Sequence, residues 1–401
     1  MSKLSIEKVE VAGRRVLTRV DFNVPLDHEG RITDDRRLRE SLPTIQSIIR
    51  RGGRAILMSH LGRPAESGYE AKYSLRPVAE ALGALLGQSV EFPSQDCLDA
   101  DAHAAVSRLD KGKVLLLENL RFHAGETEND PGFSGKLAGY GEVYCNDAFG
   151  TAHRAHASMV GVPRAMAGAP RAAGLLMTAE IKYLSEVLEN PQRPFVAVLG
   201  GAKVSDKLGA IRRLLDIVDD VLVGGAMAYT FLQVLGRRMG KSRVEADSID
   251  EAREIIQLAA AKKADLFFPN DHVCGKEISD ATPIKTFEDH IEEGWMGLDI
   301  GPQTQRRYAA RIARGKTIIW NGPVGVFEIG PFGVGTRAVA DAIAKATAAG
   351  ATSVIGGGDS AAAVESFGMA SRFSHVSTGG GASLTLLEGG PMPGLDALSE
   401  A

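Results

Sequence analysis

The chain has 401 residues, of which 44% are hydrophobic and 24% are charged, and its formal net charge is -4. This composition is typical of a chain that folds around a buried core, and the length favours two domains. A nucleic-acid partner normally requires a strong basic excess, which this chain lacks. No apolar run is long enough for a membrane span or a signal peptide, so we expect a cytoplasmic protein without a membrane partner.

The three cysteines, Cys97, Cys145 and Cys274, lie far apart in the sequence. Their odd number and wide spacing disfavour both a disulfide framework and a paired-cysteine metal site. We therefore expect a reducing compartment.

Short runs rich in Val, Ile and Leu recur along the chain, each followed by a polar or glycine-rich loop and then by helical spacing. The first half contains RRVLTRVDFN, GRAILMSHLG, KVLLLENLRF and GEVYCNDAFG, and the second half contains FVAVLGGAKV, KTIIWNGPVG and TSVIGGGDSA. This alternation indicates parallel sheets covered by helices. The predicted fold is α/β, with two Rossmann-like three-layer α/β/α lobes and mainly parallel sheets, joined by an interdomain helix and a hinge.

The predicted boundaries follow from the segment AAGLLMTAEIKYLSEVLENP, which has amphipathic helical spacing and stops at Asn190-Pro191. We assign residues 173–190 to the interdomain helix, between a first lobe of residues 1–172 and a second lobe of residues 191–388. The glycine- and proline-rich tail LEGGPMPGLDAL predicts a linker and a short terminal helix. We expect residues 389–401 to pack back on the first lobe.

In the first half, polar and cationic side chains follow the apolar runs where each predicted strand ends. The carboxyl ends of parallel strands meet at one edge of a sheet, and open α/β sheets bind ligands there. We therefore expect a cationic pocket that suits a multiply charged anion. Its candidate residues are Asp21, Asn23, His60, Arg63, Arg121 and Arg154.

Each of these residues also has an ordinary explanation. A histidine such as His60 is more often packed or surface-exposed than functional, and arginines commonly form surface ion pairs. Asp21 and Asn23 are consistent with a turn before Pro25. Their shared position after strands of one half favours the functional interpretation.

The runs of the second half end in glycines, which permit close backbone approach to the phosphates and sugar of a nucleotide. Lys203 and Lys207 follow a glycine pair with i,i+4 spacing, so we expect both on one face of the first turns of the next helix. Cations at a helix N-terminus oppose the helix dipole, and a bound phosphate would resolve this conflict.

Two further segments of the second half carry helix-start signals. Asp359 and Ser360 open a predicted helix. The sequence favours equally two roles for them: capping the N-terminus of the helix, or holding a metal-nucleotide. Thr378, Gly379 and Gly380 are expected to offer unpaired backbone N–H groups to an anion.

Two other motifs are incomplete. GGGDSA resembles a dinucleotide fingerprint, but no acidic residue lies about 20 positions later to hold a ribose. GRRMGKS resembles a Walker A loop but is one residue too short. A nicotinamide-dependent dehydrogenase is therefore a disfavoured alternative, as is a non-catalytic sugar-phosphate or nucleotide sensor.

The segments RVDFNVP, SHLGRP, ENLRF, NDAFGTAHRAHAS, GGAKVSDKL, NGPVGVFE, GGGDS and STGGGAS occur in this order along nearly the whole chain. With these motifs the chain closely resembles the phosphoglycerate kinase family. The resemblance implies a monomeric glycolytic enzyme that transfers a phosphoryl group reversibly between Mg-ATP and the carboxylate of 3-phosphoglycerate, giving 1,3-bisphosphoglycerate and ADP. It also implies hinge closure and Mg²⁺ as the cofactor.

The resemblance assigns residues to both substrates. The acid substrate is implied to bind Asp21, Asn23, Arg37, His60, Arg63, Arg121 and Arg154. The nucleotide is implied to bind Lys203, Lys207, Gly225, Asn321, Glu328, Gly357, Gly358, Asp359 and Ser360. Glu328 resembles the ribose partner, and Asp359 resembles the magnesium partner.

Two positions depart from the usual family pattern. The loop LDHEGRI is followed by two adjacent arginines, and alignment from the segment SLPTI puts the catalytic arginine at Arg37 rather than Arg36. The family's triple glycine is here Gly224-Gly225-Ala226, which we expect to narrow the nucleotide pocket slightly.

The attacking group of this reaction is a carboxylate that is already ionised at neutral pH, so no general base is needed. Catalysis is then expected from in-line positioning and from neutralisation of charge on the transferring phosphoryl group. The implied catalytic donors, besides magnesium, are Arg37, Lys203, Gly379 and Gly380. Because an acyl phosphate hydrolyses readily, we expect the lobes to close and exclude water.

Overall fold

The structure, a computed structural model, describes residues 2–262 and 264–401. These residues form two compact units: the first runs to Lys182 and resumes with Pro391–Ala401, and the second spans Tyr183–Gly390. Each unit contains a six-stranded parallel sheet with helices, which confirms the predicted α/β fold class. No helix in the described part of the chain is long and apolar enough to cross a membrane.

The first unit is built on one parallel sheet. Its strands are β1 (Arg15–Arg19), β2 (Arg54–Met58), β3 (Val90–Glu91), β4 (Val114–Leu116), β5 (Val143–Asn146) and β6 (Arg171–Ala173). Its helices before the unit boundary are α1 (Arg36–Arg50), α2 (Arg76–Leu86), α3 (Ala100–Arg108), α4 (Ala124–Thr127), α5 (Pro131–Ala138) and α6 (Val162–Ala165). The strand order is β3-β4-β2-β1-β5-β6, so β1 and β2 lie in the middle of the sheet.

The central strands of this sheet are continuous apolar runs because helices cover both faces of a parallel sheet. In β1 and β2, every residue after the first is buried. Val16 and Leu57 from these strands belong to the same core cluster as Ile45 of α1 and Leu82 of α2. The packed core therefore fixes the positions at which the loops leave the carboxyl ends of the strands.

Helix α7 (Leu175–Glu189) follows β6 and contains the division between the units at Lys182 and Tyr183. The parallel sheet of the second unit consists of β7 (Phe195–Leu199), β8 (Asp220–Val223), β9 (Asp265–Phe267), β13 (Thr317–Asn321), β14 (Thr352–Gly356) and β15 (His375–Val376). A small antiparallel sheet is formed by β10 (Asp271–Gly275), β11 (Lys285–Glu288) and β12 (Met296–Ile300). The order of the large sheet is β15-β14-β13-β7-β8-β9.

After α7, the helices of the second unit among the described residues are α8 (Leu208–Leu214), α9 (Met227–Val234), α10 (Ile249–Lys262), α11 (Pro302–Ile312), α12 (Val334–Ala348), α13 (Gly358–Ser366) and α14 (Gly381–Leu387). Trp320 of β13 is fully buried among side chains of α11 and α12. Its indole Nε1–H donates to the carbonyl of Gly322 at 2.7 Å, which satisfies the one polar atom of that side chain.

The C-terminal segment belongs to the first unit and contains the short helix α15 (Pro393–Asp396). The amide of Gly394 donates to the carbonyl of Ala152 at 2.9 Å, and the amide of Leu4 donates to the carbonyl of Ser399 at 2.9 Å. Backbone hydrogen bonds thus attach the end of the chain to two separate parts of this unit.

Candidate active site

In the first unit, cationic side chains gather at the carboxyl edge of the sheet around His60, which lies two residues after β2. His60 is 2% exposed. Burial lowers the pKa of its imidazole well below the usual value, and the positive charges of Arg19, Arg121, Arg154 and Arg37 lower it further, in that order. Four guanidinium groups therefore lie close enough to act on one neutral imidazole.

Short contacts link the loops that carry these residues. Arg37 Nη1 lies 2.7 Å from Asp21 Oδ1, and Asn23 Oδ1 accepts a hydrogen bond from the Gly62 amide at 2.8 Å. Arg121 Nη1 donates to the carbonyl of Gly62 at 2.7 Å. The loops after β1, β2 and β4 are thus joined at one edge, as the strand ends predicted.

The other arginines differ in their surroundings. Arg36 Nη2 lies 3.8 Å from Asp34 Oδ2, whereas Arg37 contacts Asp21. Arg63 is exposed, and within the described residues it makes no hydrogen bond or ion pair with another residue. Burial and the neighbouring Arg154 lower the pKa of Arg121 to about 10.

One residue of this cluster, Arg19, escaped the sequence analysis. It is the last residue of β1 and is fully buried. Its Nε donates to Ser158 Oγ at 2.8 Å, and its Nη1 donates to the carbonyl of Val20. Ser158 in turn donates its hydroxyl to Glu126 Oε1 at 2.6 Å, and Glu126 is also fully buried. A buried charge pair, bridged by a serine hydroxyl, therefore holds Arg19 in place.

This network also determines the tautomer of His60. Arg19 Nη2 lies 3.1 Å from His60 Nδ1, and a guanidinium can only donate. Nδ1 must therefore accept, which leaves the proton of the neutral ring on Nε2. His60 thus presents an N–H donor of fixed orientation beside several arginines, which suits an anion.

The second unit contains a glycine-lined cavity of about 520 Å³ at the ends of β7, β13 and β14. Its lining includes the predicted residues Lys203, Lys207, Asn321, Gly357, Gly358, Asp359, Ser360 and Gly380. Gly357 has a φ of +86° and precedes α13, where the missing side chain leaves the backbone accessible. The lining therefore combines glycine backbone with charged side chains, which also include the acidic Asp206 and Glu388.

The prediction that Lys203 and Lys207 lie on the first turns of a helix is wrong. Helix α8 begins only at Leu208, and the segment before it forms turns. Glu245 accepts hydrogen bonds from the amide and hydroxyl of Ser205 in this segment, at 3.0 and 3.2 Å. Both lysines still line the cavity, and Lys207 Nζ donates to Asn321 Oδ1.

Asp359 and Ser360 have different roles at the start of α13. Ser360 Oγ accepts a hydrogen bond from the Gly322 amide at 2.6 Å, so it supports the neighbouring loop rather than capping its own helix. Asp359 is exposed in the first helical turn, and its carboxylate makes no hydrogen bond within the described residues. N-capping therefore accounts for neither side chain.

The expectation of unpaired amides at Gly379 and Gly380 needs a correction. The amide of Gly379 donates to Ser377 Oγ at 3.1 Å, because that hydroxyl points back into the same turn. Gly380 lines the cavity, with a φ of +50°. Within this turn, Gly379 is thus already hydrogen-bonded.

A second cavity of about 330 Å³ contains Gly225 and Glu328, and it shares Gly201, Ala202 and Asp359 with the first. The apolar part of its lining includes Ala226, Met296, Leu298, Pro323 and Val326. A glycine is required at Gly225, where φ is +65° and a Cβ would lie 2.6 Å from the backbone N and O of Gly201. A polar, backbone-lined cavity thus adjoins an apolar one.

The family model described as "Phosphoglycerate kinase" matches residues 6–390. The chain belongs to the phosphoglycerate kinase family. It is 52% identical over 404 residues to phosphoglycerate kinase of Rhodopirellula baltica and 50% identical over 401 residues to that of Chlorobium phaeobacteroides, covering the full length of each. The structure of phosphoglycerate kinase from Coxiella burnetii superposes with a TM-score of 0.88 at 40% identity, over 98% of both chains.

A more distant phosphoglycerate kinase structure, from Pyrococcus horikoshii, is 32% identical and superposes with a TM-score of 0.85 over 98% of both chains. The similarity therefore covers both units and not one of them alone. As a phosphoglycerate kinase family member, the chain is a phosphotransferase with a carboxyl group as acceptor and an enzyme of glycolysis. The dehydrogenase alternative is thereby set aside.

Proposed function

We propose that the chain transfers a phosphoryl group reversibly between Mg-ATP and the carboxylate of 3-phosphoglycerate, giving 1,3-bisphosphoglycerate and ADP. The observation that carries this assignment is the meeting of cationic side chains at one sheet edge, where Arg19 contacts His60, Arg37 contacts Asp21 and Arg121 contacts the Gly62 carbonyl. A substrate with a phosphate and a carboxylate needs several cationic donors in one place, and guanidinium groups bind such anions in a bidentate manner. This arrangement supports the first unit as the holder of the acid substrate.

In this proposal the acid substrate contacts Asp21, Asn23, Arg37, His60, Arg63, Arg121 and Arg154. His60 donates Nε2–H to the anion because Arg19 occupies Nδ1. Arg121 Nε is buried without a hydrogen-bond partner among the described residues, and a substrate oxygen would satisfy it. Arg37 keeps one contact to Asp21, and the rest of its donors are available for the substrate.

The nucleotide would divide between the two cavities of the second unit. Its phosphates suit the backbone-lined cavity with Lys203 and Lys207, and its base suits the adjoining apolar cavity that contains Gly225. Glu328 lines the apolar cavity and serves as the ribose partner. The remaining proposed contacts are Asn321, Gly357, Gly358, Asp359 and Ser360.

The residues present fit Mg²⁺ bound with the nucleotide. Asp359 is exposed, lines both cavities and carries a carboxylate without a hydrogen-bond partner in the described chain. Hard cations prefer such oxygen ligands together with phosphate oxygens and water. When bound there, the ion would neutralise charge on the phosphate oxygens.

The chemistry requires no protein base, because the attacking carboxylate is ionised at neutral pH. The side chains of Arg37 and Lys203 and the amide of Gly380 would instead neutralise charge that spreads over the transferring phosphoryl group. The amide of Gly379 can join them only by giving up its hydrogen bond to Ser377. Stabilisation by fixed donors is thus the main catalytic contribution.

Direct in-line transfer requires the two substrates to approach, although residues of different units hold them. We therefore include hinge closure in the proposal, with water excluded from the acyl phosphate. Small-angle scattering tests it: both substrates together should lower the radius of gyration relative to the free enzyme. An unchanged radius would contradict closure.

We further propose that the enzyme works as a cytoplasmic monomer whose partners are these small molecules and not a nucleic acid. The net charge of -4 supports the last point. Size-exclusion chromatography with light scattering should give a mass near 42.5 kDa.

The decisive experiment is a coupled assay with 3-phosphoglycerate and Mg-ATP. Turnover should require both substrates and should vanish when magnesium is chelated. Tight binding of either substrate without turnover would identify a sensor and overturn the proposal.

A further inference from the structure

Three side chains with metal-ligating atoms meet at another point of the first unit. They are Asp96 and Cys97, in the loop before α3, and His123, directly before α4. One ligand atom of each lies within 4.8 Å of the others, and His123 Nε2 is 3.1 Å from Asp96 Oδ1. A carboxylate, a thiol and an imidazole from two separate loops thus converge on one point.

The local structure holds these groups in place. Cys97 is a free cysteine and is 1% exposed. Asp96 Oδ1 also accepts a hydrogen bond from the Leu98 amide at 2.7 Å, which fixes the carboxylate. The ring of His123 packs on Phe133 with a centroid distance of 5.3 Å. These contacts restrict Asp96 and His123, which lowers the entropic cost of binding an ion.

Asp96 and His123 line a cavity of about 640 Å³, which gives an ion access from solvent, whereas the buried Cys97 is not part of that lining. Besides Asp96 and His123, the lining contains four acidic residues: Glu66, Asp99, Glu128 and Asp130. Their negative charges raise the local concentration of cations, and the space accommodates water as a further ligand. Asp99 caps α3 through the Ala102 amide, so it is not counted among the ligands.

We propose that Asp96, Cys97 and His123 bind a Zn²⁺ ion, with water in the fourth position. Mixed sulfur, nitrogen and oxygen ligands are typical of zinc, whereas Mg²⁺ and Ca²⁺ require sets made of oxygen. Ligand atoms of a tetrahedral zinc site lie roughly 3.5 Å apart, so the donors need to close by about 1 Å. This site is separate from Asp359, where the nucleotide-bound magnesium is proposed.

Binding would connect two segments of the first unit. His123 follows Arg121 by two residues, and its backbone also pairs with Ser67. An ion bridging His123 to Cys97 therefore links the loop before α3 to the segment that carries a proposed substrate contact. The main expected effect is added stability, because only the folded chain brings the three ligands together.

The test uses the full chain with Zn²⁺ or Co²⁺ as the only probe, in buffer without nucleotide. Co²⁺ takes the same tetrahedral site, and a thiolate ligand gives it a charge-transfer absorption band. We expect one such band in the wild-type protein and in Cys145→Ser, which alters another buried cysteine of the same unit. Cys97→Ser should lose the band, and its Zn²⁺ affinity should fall by more than about 10-fold.

A second variant covers the case in which Cys97→Ser fails to fold. His123→Gln changes a side chain that is 31% exposed, and it should lower the Zn²⁺ affinity by more than about 10-fold while the apo protein keeps its melting temperature. Zn²⁺ should raise the melting temperature of the wild-type protein and of Cys145→Ser only. The proposal is overturned if wild-type protein shows no thiolate band, or if His123→Gln binds zinc as tightly as wild type.

Discussion

The candidate site of the first unit is made from side chains, whereas that of the second unit combines glycine backbone with side chains such as Lys203 and Lys207. In the first, a buried network from Glu126 through Ser158 to Arg19 fixes the orientation of His60. In the second, glycines expose the backbone, and positions such as Gly225 have no room for a Cβ. Substitutions in the first unit should therefore act through lost charge and hydrogen bonds, and those in the second through steric clash.

The largest effect should follow the loss of a side-chain donor from the first unit. Arg37→Ala removes a guanidinium proposed to neutralise the transferring phosphoryl group, and kcat should fall by about 10²- to 10³-fold. The KM for Mg-ATP should stay near the wild-type value, because Arg37 belongs to the other unit. Steady-state kinetics with both substrates varied measures the two effects separately.

Arg36→Ala is the matched control, since it removes an adjacent guanidinium that pairs with Asp34 instead of Asp21. Its kcat should change by less than a few-fold. Equal losses of kcat in both variants would show that removing any positive charge from the start of α1 has this effect, and that the position of Arg37 is not special.

A smaller effect is expected for Arg19→Lys, which keeps the charge but cannot bridge Ser158 and His60 as a planar guanidinium does. His60 then loses the donor that fixes its tautomer. The KM for 3-phosphoglycerate should rise by about 10- to 100-fold, which corresponds to one hydrogen bond to a charged group. The KM for Mg-ATP should not change.

Arg51→Lys controls for the general cost of altering a bonded arginine in this unit, because Arg51 donates to the backbone carbonyls of Ile6 and Val9. It should leave both KM values unchanged. If Arg19→Lys kept the wild-type KM for 3-phosphoglycerate, the assigned orientation of His60 would have no effect on binding.

In the second unit, Gly225→Ala introduces a Cβ 2.6 Å from the Gly201 backbone at a φ of +65°. The loop has to shift to relieve this contact, and the KM for Mg-ATP should rise by roughly 10-fold, or about 1.4 kcal/mol. Gly236→Ala provides the comparison: its φ is +80°, but a Cβ there meets nothing within 4 Å.

Gly236→Ala should cost stability through backbone strain, by about 1–3 kcal/mol, yet it should leave the KM for Mg-ATP unchanged. Thermal unfolding of both variants measures the loss of stability from backbone strain, and steady-state kinetics measures the KM for Mg-ATP, which reports the effect of the clash. If both variants raised the KM for Mg-ATP equally, backbone strain at positive φ would explain the weaker nucleotide binding, and the clash with Gly201 would not be needed.

Sequence reasoning located the strand ends correctly because it relied on local patterns. Apolar runs ending before His60 and Arg121 predicted that these side chains meet, and parallel strands do bring such ends together. Arg19 was missed although a charged residue inside the apolar run RVLTRV was a visible signal. Its partners Glu126 and Ser158 lie more than 100 positions later in the sequence, so only the folded chain reveals them.

The wrong expectation for Lys203 and Lys207 has a similar cause. Their spacing fits a helix, but the segment that carries them forms turns, and Ser205 within it bonds to Glu245, 40 positions later. The amide of Gly379 was likewise expected to be free, and the hydroxyl of Ser377 accepts it. A contact from a distant segment reaches Ser205, whereas the Gly379 amide is bonded within its own turn.

The smallest expected effect concerns the charge of His60 itself. Burial and then Arg19 lower the pKa of His60, so the folded protein keeps this imidazole neutral as the pH falls through its usual pKa near 6.5. The unfolded chain takes up a proton there, so the free energy of unfolding should fall as the pH decreases below about 6.5. His60→Gln should reduce this dependence, as measured by denaturant unfolding at several pH values.

Substrate binding provides the stricter test, because the phosphate of 3-phosphoglycerate itself titrates near a pKa of about 6. That titration affects the wild-type enzyme and His60→Gln equally, so it cancels in the ratio of their kcat/KM values. If His60 donates as a neutral ring, this ratio should be constant between about pH 5.5 and 8, although its magnitude differs from one. A wild-type to His60→Gln ratio that rises as the pH falls would mean that His60 binds the substrate as a cation, and Arg19 could not then donate to Nδ1 at 3.1 Å.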